Sequence, residues 1–388
     1  MSKASNLRKH IGIIGGGQLG KMLIEAAQPW NTFFHILENT EDAPATRIAD
    51  SQILGKLTDD TKIRELANKS NVLTYEIEHV GVETLKDLED HGTRVVPSPR
   101  ILEIIQDKGM QKQFYADHHI PTAPFRLVNQ PSEWIQAAKD LGINRFAAKS
   151  RTDGYDGKGV ALCSVAELEK TGNFPFPGPT LIEAFVDCDK ELSVIVARKK
   201  SGEICTFPTV EMEFDPIANL VEFLACPAQI SETIDQKAKD IAIQCIEAFD
   251  GEGIFAVELF LTKGGEILVN EIAPRPHNSG HHTIEANYTS QYEQLNRILL
   301  DLPLGDTGLI SPAVMINLLG TDGVSGAYSI EGLDEILALP GVYIHLYGKA
   351  ETRPKRKMGH ATILATTLVE AIEKAKFVRD TFQFIPAK

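Results

Sequence analysis

The sequence predicts a mixed α/β and α+β protein: a doubly wound N-terminal domain on a parallel sheet, then a small lid, then a larger, mainly antiparallel β-rich portion. Three observations carry that prediction. Short apolar runs alternate with helically spaced ones over the first hundred residues, a glycine turn joins the first run to the first helix, and strand-like alternation dominates beyond about residue 190.

In the N-terminal part, HIGIIG at 10–15 reads as a buried strand, and Leu19, Met22, Leu23 and Ala26 mark the amphipathic helix that follows. Strands are expected at 33–38, 52–54 and 71–75, with a short one at Val95-Val96, and helices at 60–69 and 82–91. A helix from Ile101 to about His118 ends at IPTAP, because Pro121 and Pro124 cannot continue it. The lid, about 122–185, should hold strands near 145–148, 160–163 and 180–185 and a helix at 134–139. Strands at 191–198 and 204–211, a helix at 232–249 and a hairpin of 254–261 with 266–272 follow. Strands at 313–318, 342–347 and 359–365, with helices at 331–337 and 368–380, complete the chain. The expected domains are 1–104, 105–300 and 301–388.

Composition narrows the function. The 388 residues are 43% hydrophobic, enough for a large core, and a formal charge of -14 opposes nucleic acid and anionic membrane surfaces. An anionic ligand must therefore meet a local basic patch. The five cysteines form no CxxC pair, and no run approaches the roughly 18 apolar residues of a membrane span. A cytoplasmic protein is expected.

Gly15-Gly16-Gly17-Gln18-Leu19-Gly20 fits G-x-G-x-x-G between a strand and a helix, where backbone amides and the helix dipole favour an anion. Glu38, at the end of the second strand, has the offset of the ribose-binding acid of a dinucleotide site. The glycines also serve plain strand–helix packing, so the motif alone decides nothing.

A second apparatus lies further along. Lys149 to Gly159 places three glycines and three cations in eleven residues, able to fold backbone amides over phosphates or to form an ordinary hairpin turn. A hairpin turning at Gly264-Gly265 pairs Glu258 with Glu271 on a face shared with Phe260 and Val269. Their repulsion and desolvation call for a divalent cation, magnesium by preference, with Asn270 adjoining; otherwise one glutamate is protonated or turned to solvent, or the register differs.

Lys149 with GYDGKG, Glu183-Ala184-Phe185-Val186 followed by Glu191, then Glu258 and Asn270-Glu271, in that order, resemble the ATP-grasp superfamily. The resemblance implies an ATP-grasp fold with a Rossmann-like N-terminal domain. It implies that Lys108 and Lys149 contact ATP phosphates, that the loop Gly154, Tyr155, Asp156, Gly157, Lys158, Gly159 and Val160 covers them, that 183–186 presents backbone to adenine, and that Glu191 holds the ribose. GGGQLGKM at 15–22, NEIAPRPHNSGHHT at 270–283 and KRKMGHAT at 355–362 further resemble the 5-(carboxyamino)imidazole ribonucleotide synthase family.

That family implies ATP- and bicarbonate-dependent carboxylation of 5-aminoimidazole ribonucleotide in purine synthesis, by a homodimer. It implies that Gln18, Leu19, Glu76, Asn278, Ser279, Lys349 and Arg356 hold the acceptor nucleotide, with no nicotinamide at the first loop. Tyr155, Asp156, Lys158, Arg275, His277 and Lys357 would surround bicarbonate and the amine. Lys349, Arg353, Lys355, Arg356 and Lys357 supply the local basic patch that an acidic protein needs. A zinc reading of His277, His281 and His282 is disfavoured by Pro276 and Gly280, which break a helical ligand pair. Two positions depart from the pattern: Lys158 where relatives often carry arginine, and Phe214-Asp215 where a histidine is expected. A formate-dependent glycinamide ribonucleotide transformylase, a dinucleotide oxidoreductase and a noncatalytic nucleotide binder are the alternatives.

Overall fold

The computed structural model describes residues 7–152, 159–214 and 221–387. The N-terminal unit comprises β1 (His10–Ile14), α1 (Gln18–Ala27), β2 (Phe33–Glu38), β3 (Ser51–Leu54), α2 (Asp60–Asn68), β4 (Val72–Tyr75) and α3 (Val82–Asp90). Its four strands are parallel in the order β3-β2-β1-β4, so the carboxyl ends of β1, β2 and β4 lie side by side. That arrangement brings Glu38, Glu76 and the glycine loop to one edge. The short strand expected at Val95-Val96 is a single bridge from Val95 to Leu73.

The helix expected over 101–118 is two, α4 (Pro99–Gln106) and α5 (Lys108–Asp117), broken at Asp107, whose backbone is extended (φ -110, ψ 108). The Asp107 carboxylate caps α5, accepting from the amides of Gly109 (2.7 Å) and Met110 (3.2 Å). The break presents Lys108 from the first turn of α5 toward the large sheet.

The lid is built from β5 (Phe125–Val128), α6 (Trp134–Asp140), β6 (Arg145–Ser150), β7 (Val160–Ser164), α7 (Val165–Thr171) and β8 (Thr180–Ala184). Its antiparallel sheet runs β5-β8-β6-β7, around buried Trp134, Phe146 and Ile182. The remainder holds β9 (Cys188–Arg198), β10 (Ile204–Thr206), β11 (Val210–Phe214), β12 (Val221–Cys226), α8 (Glu232–Phe249), β13 (Gly253–Thr262), β14 (Ile267–Ala273), α9 (Thr283–Ala286), α10 (Gln291–Leu299), β15 (Ala313–Leu319), β16 (Tyr328–Glu331), α11 (Leu333–Leu337), β17 (Val342–Leu346), β18 (Lys357–Leu364), α12 (Leu368–Thr381) and β19 (Gln383–Pro386). The strand expected over 204–211 is thus divided into β10 and β11, either side of 207–209, which includes Pro208.

Among the described residues, nine strands form one sheet in the order β14-β13-β9-β11-β12-β15-β18-β17, with β10 also on β9. Pairing of β12 with β15 carries this sheet straight through the boundary expected at 300. On β9, Leu192, Val194 and Val196 pack under α8, while Ile195 and Ala197 face α10 and the N-terminal unit. Each such leucine, valine or isoleucine side chain contributes roughly 1.5–3 kcal/mol on burial. No helix among the described residues is long and apolar enough to cross a membrane.

Candidate active site

The centre of the site is a bulged hairpin. Val257 pairs with Ile272 and Leu259 with Val269, so Glu258 stands opposite two residues, Asn270 and Glu271. The extra residue corrects the expected register. It turns Val269 away to the α8 side, beside Leu259 in the core, and leaves Leu268 opposite Phe260. The same bulge brings both polar side chains of β14 toward the lid: Asn270 Nδ2 donates to Glu258 (3.4 Å), Asn270 Oδ1 accepts from Lys149 (3.1 Å), and Glu271 pairs with Lys108 (2.7 Å).

The two carboxylates titrate in opposite directions. Burial, then repulsion from Glu271 and Glu191, pushes Glu258 above the ordinary carboxylate range, whereas Lys108 holds Glu271 below it. Glu271 is also the open one, with 43% of its side chain exposed against 17% for Glu258. Two carboxylates and an amide oxygen on one face suit a hard, oxygen-seeking cation, and the Lys108 ammonium sits where positive charge is required. Two carboxylates and one amide leave room in the shell of such a cation for phosphate oxygens.

Lys149 rises from β6 to Glu183 (2.6 Å), and Lys112 of α5 meets the other oxygen of the same carboxylate. Although burial works against its charge, these two ammoniums keep Glu183 below the ordinary carboxylate range. Lys112 escapes a sequence reading because a lysine in a short helix ordinarily reads as solvated. The amides of Ala184 and Phe185 are committed to the carbonyls of Pro124 (2.8 Å) and Arg145 (3.4 Å), which withdraws them from an adenine; Val186 follows, half-buried. Phe185 is exposed and carries Arg145 on its ring. Glu191 lies on β9 between Phe260 and Met212, on the sheet face that bears Glu258, and burial raises its pKa. Gly159 adopts φ +79 and accepts from Ser150, and Val160 begins β7 opposite Lys149. Gly154, Tyr155, Asp156, Gly157 and Lys158 lie outside the described residues. Phe214 ends β11 beside the apolar Met212 and Leu224 cluster.

The segment after β14 adds polar groups. His277 Nε2 stands 3.6 Å from Glu258, and its Nδ1 contacts Ser279 Oγ (2.9 Å), which in turn meets Ser193 Oγ (2.9 Å) on β9. Arg275 pairs with Glu78 (2.8 Å), and Asn278 exchanges amide hydrogen bonds with Asn317 of β15 (2.9 and 3.2 Å). His281 is buried instead against Tyr292 (2.9 Å) and the His360 ring.

At the N-terminal edge the glycine loop already holds carboxylates. The amides of Gly17 and Gly20 donate to Glu76, and that of Gly16 to Glu38 (2.8 Å). An added Cβ on Gly17 would lie 2.5 Å from Glu76 Oε1 and would force that carboxylate to shift. The loop is therefore not an open pyrophosphate cradle, and Glu38 is turned into it rather than toward a ribose. Burial pushes the Glu76 pKa up against the pull of the two amides. Gln18 and Leu19 open α1 above this pair. Lys349, whose ammonium donates to the Lys357 carbonyl (2.7 Å), is pushed down to about 8 by burial, then Arg356, against the attraction of Glu76. Arg356 donates to the Glu351 carbonyl, and Lys357 opens β18.

Three family models match the chain in succession. Residues 8–106 match the ribonucleotide synthetase preATP-grasp domain family, 113–292 the ATP-grasp domain family and 313–374 the phosphoribosylaminoimidazole carboxylase C-terminal domain family. The chain is 38% identical over 355 residues to N5-carboxyaminoimidazole ribonucleotide synthase of Bacillus subtilis, covering 91% of each. It is 38% identical over 380 residues to phosphoribosylaminoimidazole carboxylase of Saccharomyces cerevisiae, a match over 95% of this chain but only 66% of the longer yeast protein. Among solved structures, the N5-carboxyaminoimidazole ribonucleotide synthetase of Thermotoga maritima aligns with a TM-score of 0.89 and 43% identity, covering 98% of this chain and 100% of that one. The Aspergillus clavatus synthase, solved in complex with ADP and 5-aminoimidazole ribonucleotide, aligns with a TM-score of 0.87 and 32% identity, covering 96% and 98%. The chain belongs to the N5-carboxyaminoimidazole ribonucleotide synthase family of ATP-grasp ligases.

Proposed function

We propose that this chain carboxylates the exocyclic amine of 5-aminoimidazole ribonucleotide at the expense of ATP, with bicarbonate as the carbon source. The observation that carries the reading is the bulged hairpin, which sets Glu258, Asn270 and Glu271 beside Lys108 and Lys149. In this reading ATP lies between lid and sheet, its phosphates against Lys108, Lys149 and the 154–160 loop, its adenine against 183–186 and its ribose at Glu191. Glu258 and Glu271 would hold magnesium, which would supply positive charge to the phosphates.

A bicarbonate oxygen attacks the γ-phosphorus, the bond to the bridging oxygen of ADP breaks, and carboxyphosphate forms. Lys108 and Lys149 stabilise the charge that develops on the phosphoryl oxygens. Carboxyphosphate then releases phosphate and carbon dioxide inside the site, the amine nitrogen bonds to that carbon, and the amine gives up a proton. Tyr155, Asp156, Lys158, Arg275, His277 and Lys357 surround this step, with Asp156 receiving the proton. Gln18, Leu19, Glu76, Asn278, Ser279, Lys349 and Arg356 hold the acceptor, its 5'-phosphate at the two cations. Closing the lid limits loss of carbon dioxide and intermediate to water.

Phosphate release from ATP tests the reading. Turnover should require both the aminoimidazole nucleotide and bicarbonate, and formate with glycinamide ribonucleotide should not replace them. Folded protein that shows no nucleotide-dependent release, or that prefers the formate pair, contradicts it.

A further inference from the structure

One charged group outside the residues assigned above is buried against them. Lys112 lies on α5 with 2% of its surface exposed. Its ammonium reaches over the start of the lid, donating to Thr122 Oγ1 and to the Val269 carbonyl (3.3 Å), and pairs with Glu183 on lid strand β8. Glu183 is itself 2% exposed and takes Lys149 on its second oxygen at 2.6 Å. Two ammoniums therefore share one buried carboxylate. The second ammonium adds a desolvation cost that the single Glu183 charge offsets only in part.

We propose that Lys112 is a positioning residue for nucleotide binding: by sharing Glu183 with Lys149 across the lid hinge, it keeps the Lys149 charge available to an anionic phosphate. Without Lys112, Glu183 closes a one-to-one pair with Lys149, whose charge is then neutralised by its own lid neighbour. Burial lowers the Lys112 pKa to about 8, with Glu183 opposing, so the ammonium form persists at neutral pH. The proposal rests on the reading of Lys149 as a phosphate contact.

The test is titration calorimetry with ADP on four variants of the full chain, each checked for folding by thermal denaturation. Lys149→Met should weaken ADP binding; if it does not, the reading of Lys149 fails and takes the proposal with it. Lys112→Met should weaken ADP about tenfold, the scale of one charge-assisted contact. Adding Glu183→Gln to Lys112→Met should restore most of that loss, since it releases Lys149 again. Lys112→Gln, which keeps a donor for Thr122, replaces Lys112→Met should the latter unfold. Unchanged ADP affinity on loss of Lys112, or a loss that Glu183→Gln does not reverse, overturns the proposal.

Discussion

Two regions of this molecule gather carboxylates, and they neutralise them in opposite ways. At the N-terminal edge, Glu76 and Glu38 are answered by backbone amides of the glycine loop, which are thereby occupied. At the bulged hairpin, Glu271 is answered by a side chain, the Lys108 ammonium, and stays open, while burial and the neighbouring carboxylates raise the pKa of Glu258. Amides fixed by the backbone cannot be redirected to a ligand without breaking the turn. Lysines can exchange one anion for another. A glycine-rich turn after a strand thus marks a place where amides converge, and what else reaches it decides whether a phosphate does.

The largest expected effect comes from breaking the open carboxylate. Glu271→Gln should lower kcat by roughly 10²–10³-fold, the range seen when one preorganised transition-state contact is lost, and should weaken the dependence on magnesium. Steady-state rates across a magnesium series check both. An unchanged rate and magnesium profile would remove Glu271 from the metal site.

Lys349 sharpens the contrast at the acceptor side. Its pKa is lowered to about 8, so it is charged at neutral pH and loses its proton as pH rises through about 8. The KM for the aminoimidazole nucleotide should therefore climb above pH 8, by at most about tenfold per pH unit, with the KM for ATP much flatter. Lys349→Met should raise the nucleotide KM about tenfold at pH 7 and abolish that climb. A pH profile that survives the substitution would assign it to another group.

Glu76→Gln tests the closed region. It removes one charged acceptor from the amides of Gly17 and Gly20 and should cost about 1–3 kcal/mol of stability, measured by denaturant unfolding, with a larger rise in KM for the acceptor than for ATP. Equal effects on the two substrates would deny the N-terminal edge a separate ligand. The smallest effect is expected at Asp107→Ala, which removes the cap of α5 and the paired contact to Arg151 (2.8 and 2.5 Å). Stability should fall by about 1–2 kcal/mol, with less effect on ATP KM than Lys108→Met.

Much of this was legible in the sequence where local chemistry decides. The helix over 232–249 was readable to the residue, because Ser231 caps it and Ala238, Ile241, Ala242, Cys245 and Ile246 recur on one face. The partnership of Glu258 with Glu271 followed from counting back from a Gly-Gly turn. The bulge did not, because one extra residue on β14 leaves no compositional mark, yet it decides that Asn270 joins the site and Val269 leaves it. The break at Asp107 was hidden for a similar reason, since QDKG carries no proline and helically spaced apolar residues resume beyond it at Met110 and Phe114. The engagement of Glu76 with the glycine loop, 56 and 59 residues earlier, and of Lys112 with Glu183, are tertiary facts with no local signature.

The central claim, that ATP activates bicarbonate for transfer to the nucleotide amine, is tested most directly by supplying bicarbonate labelled with 18O. Because a bicarbonate oxygen becomes the bridge to phosphorus, the account predicts one labelled oxygen in each phosphate released, only with the aminoimidazole nucleotide present. Nucleotide-dependent formation of ADP with unlabelled phosphate would contradict it.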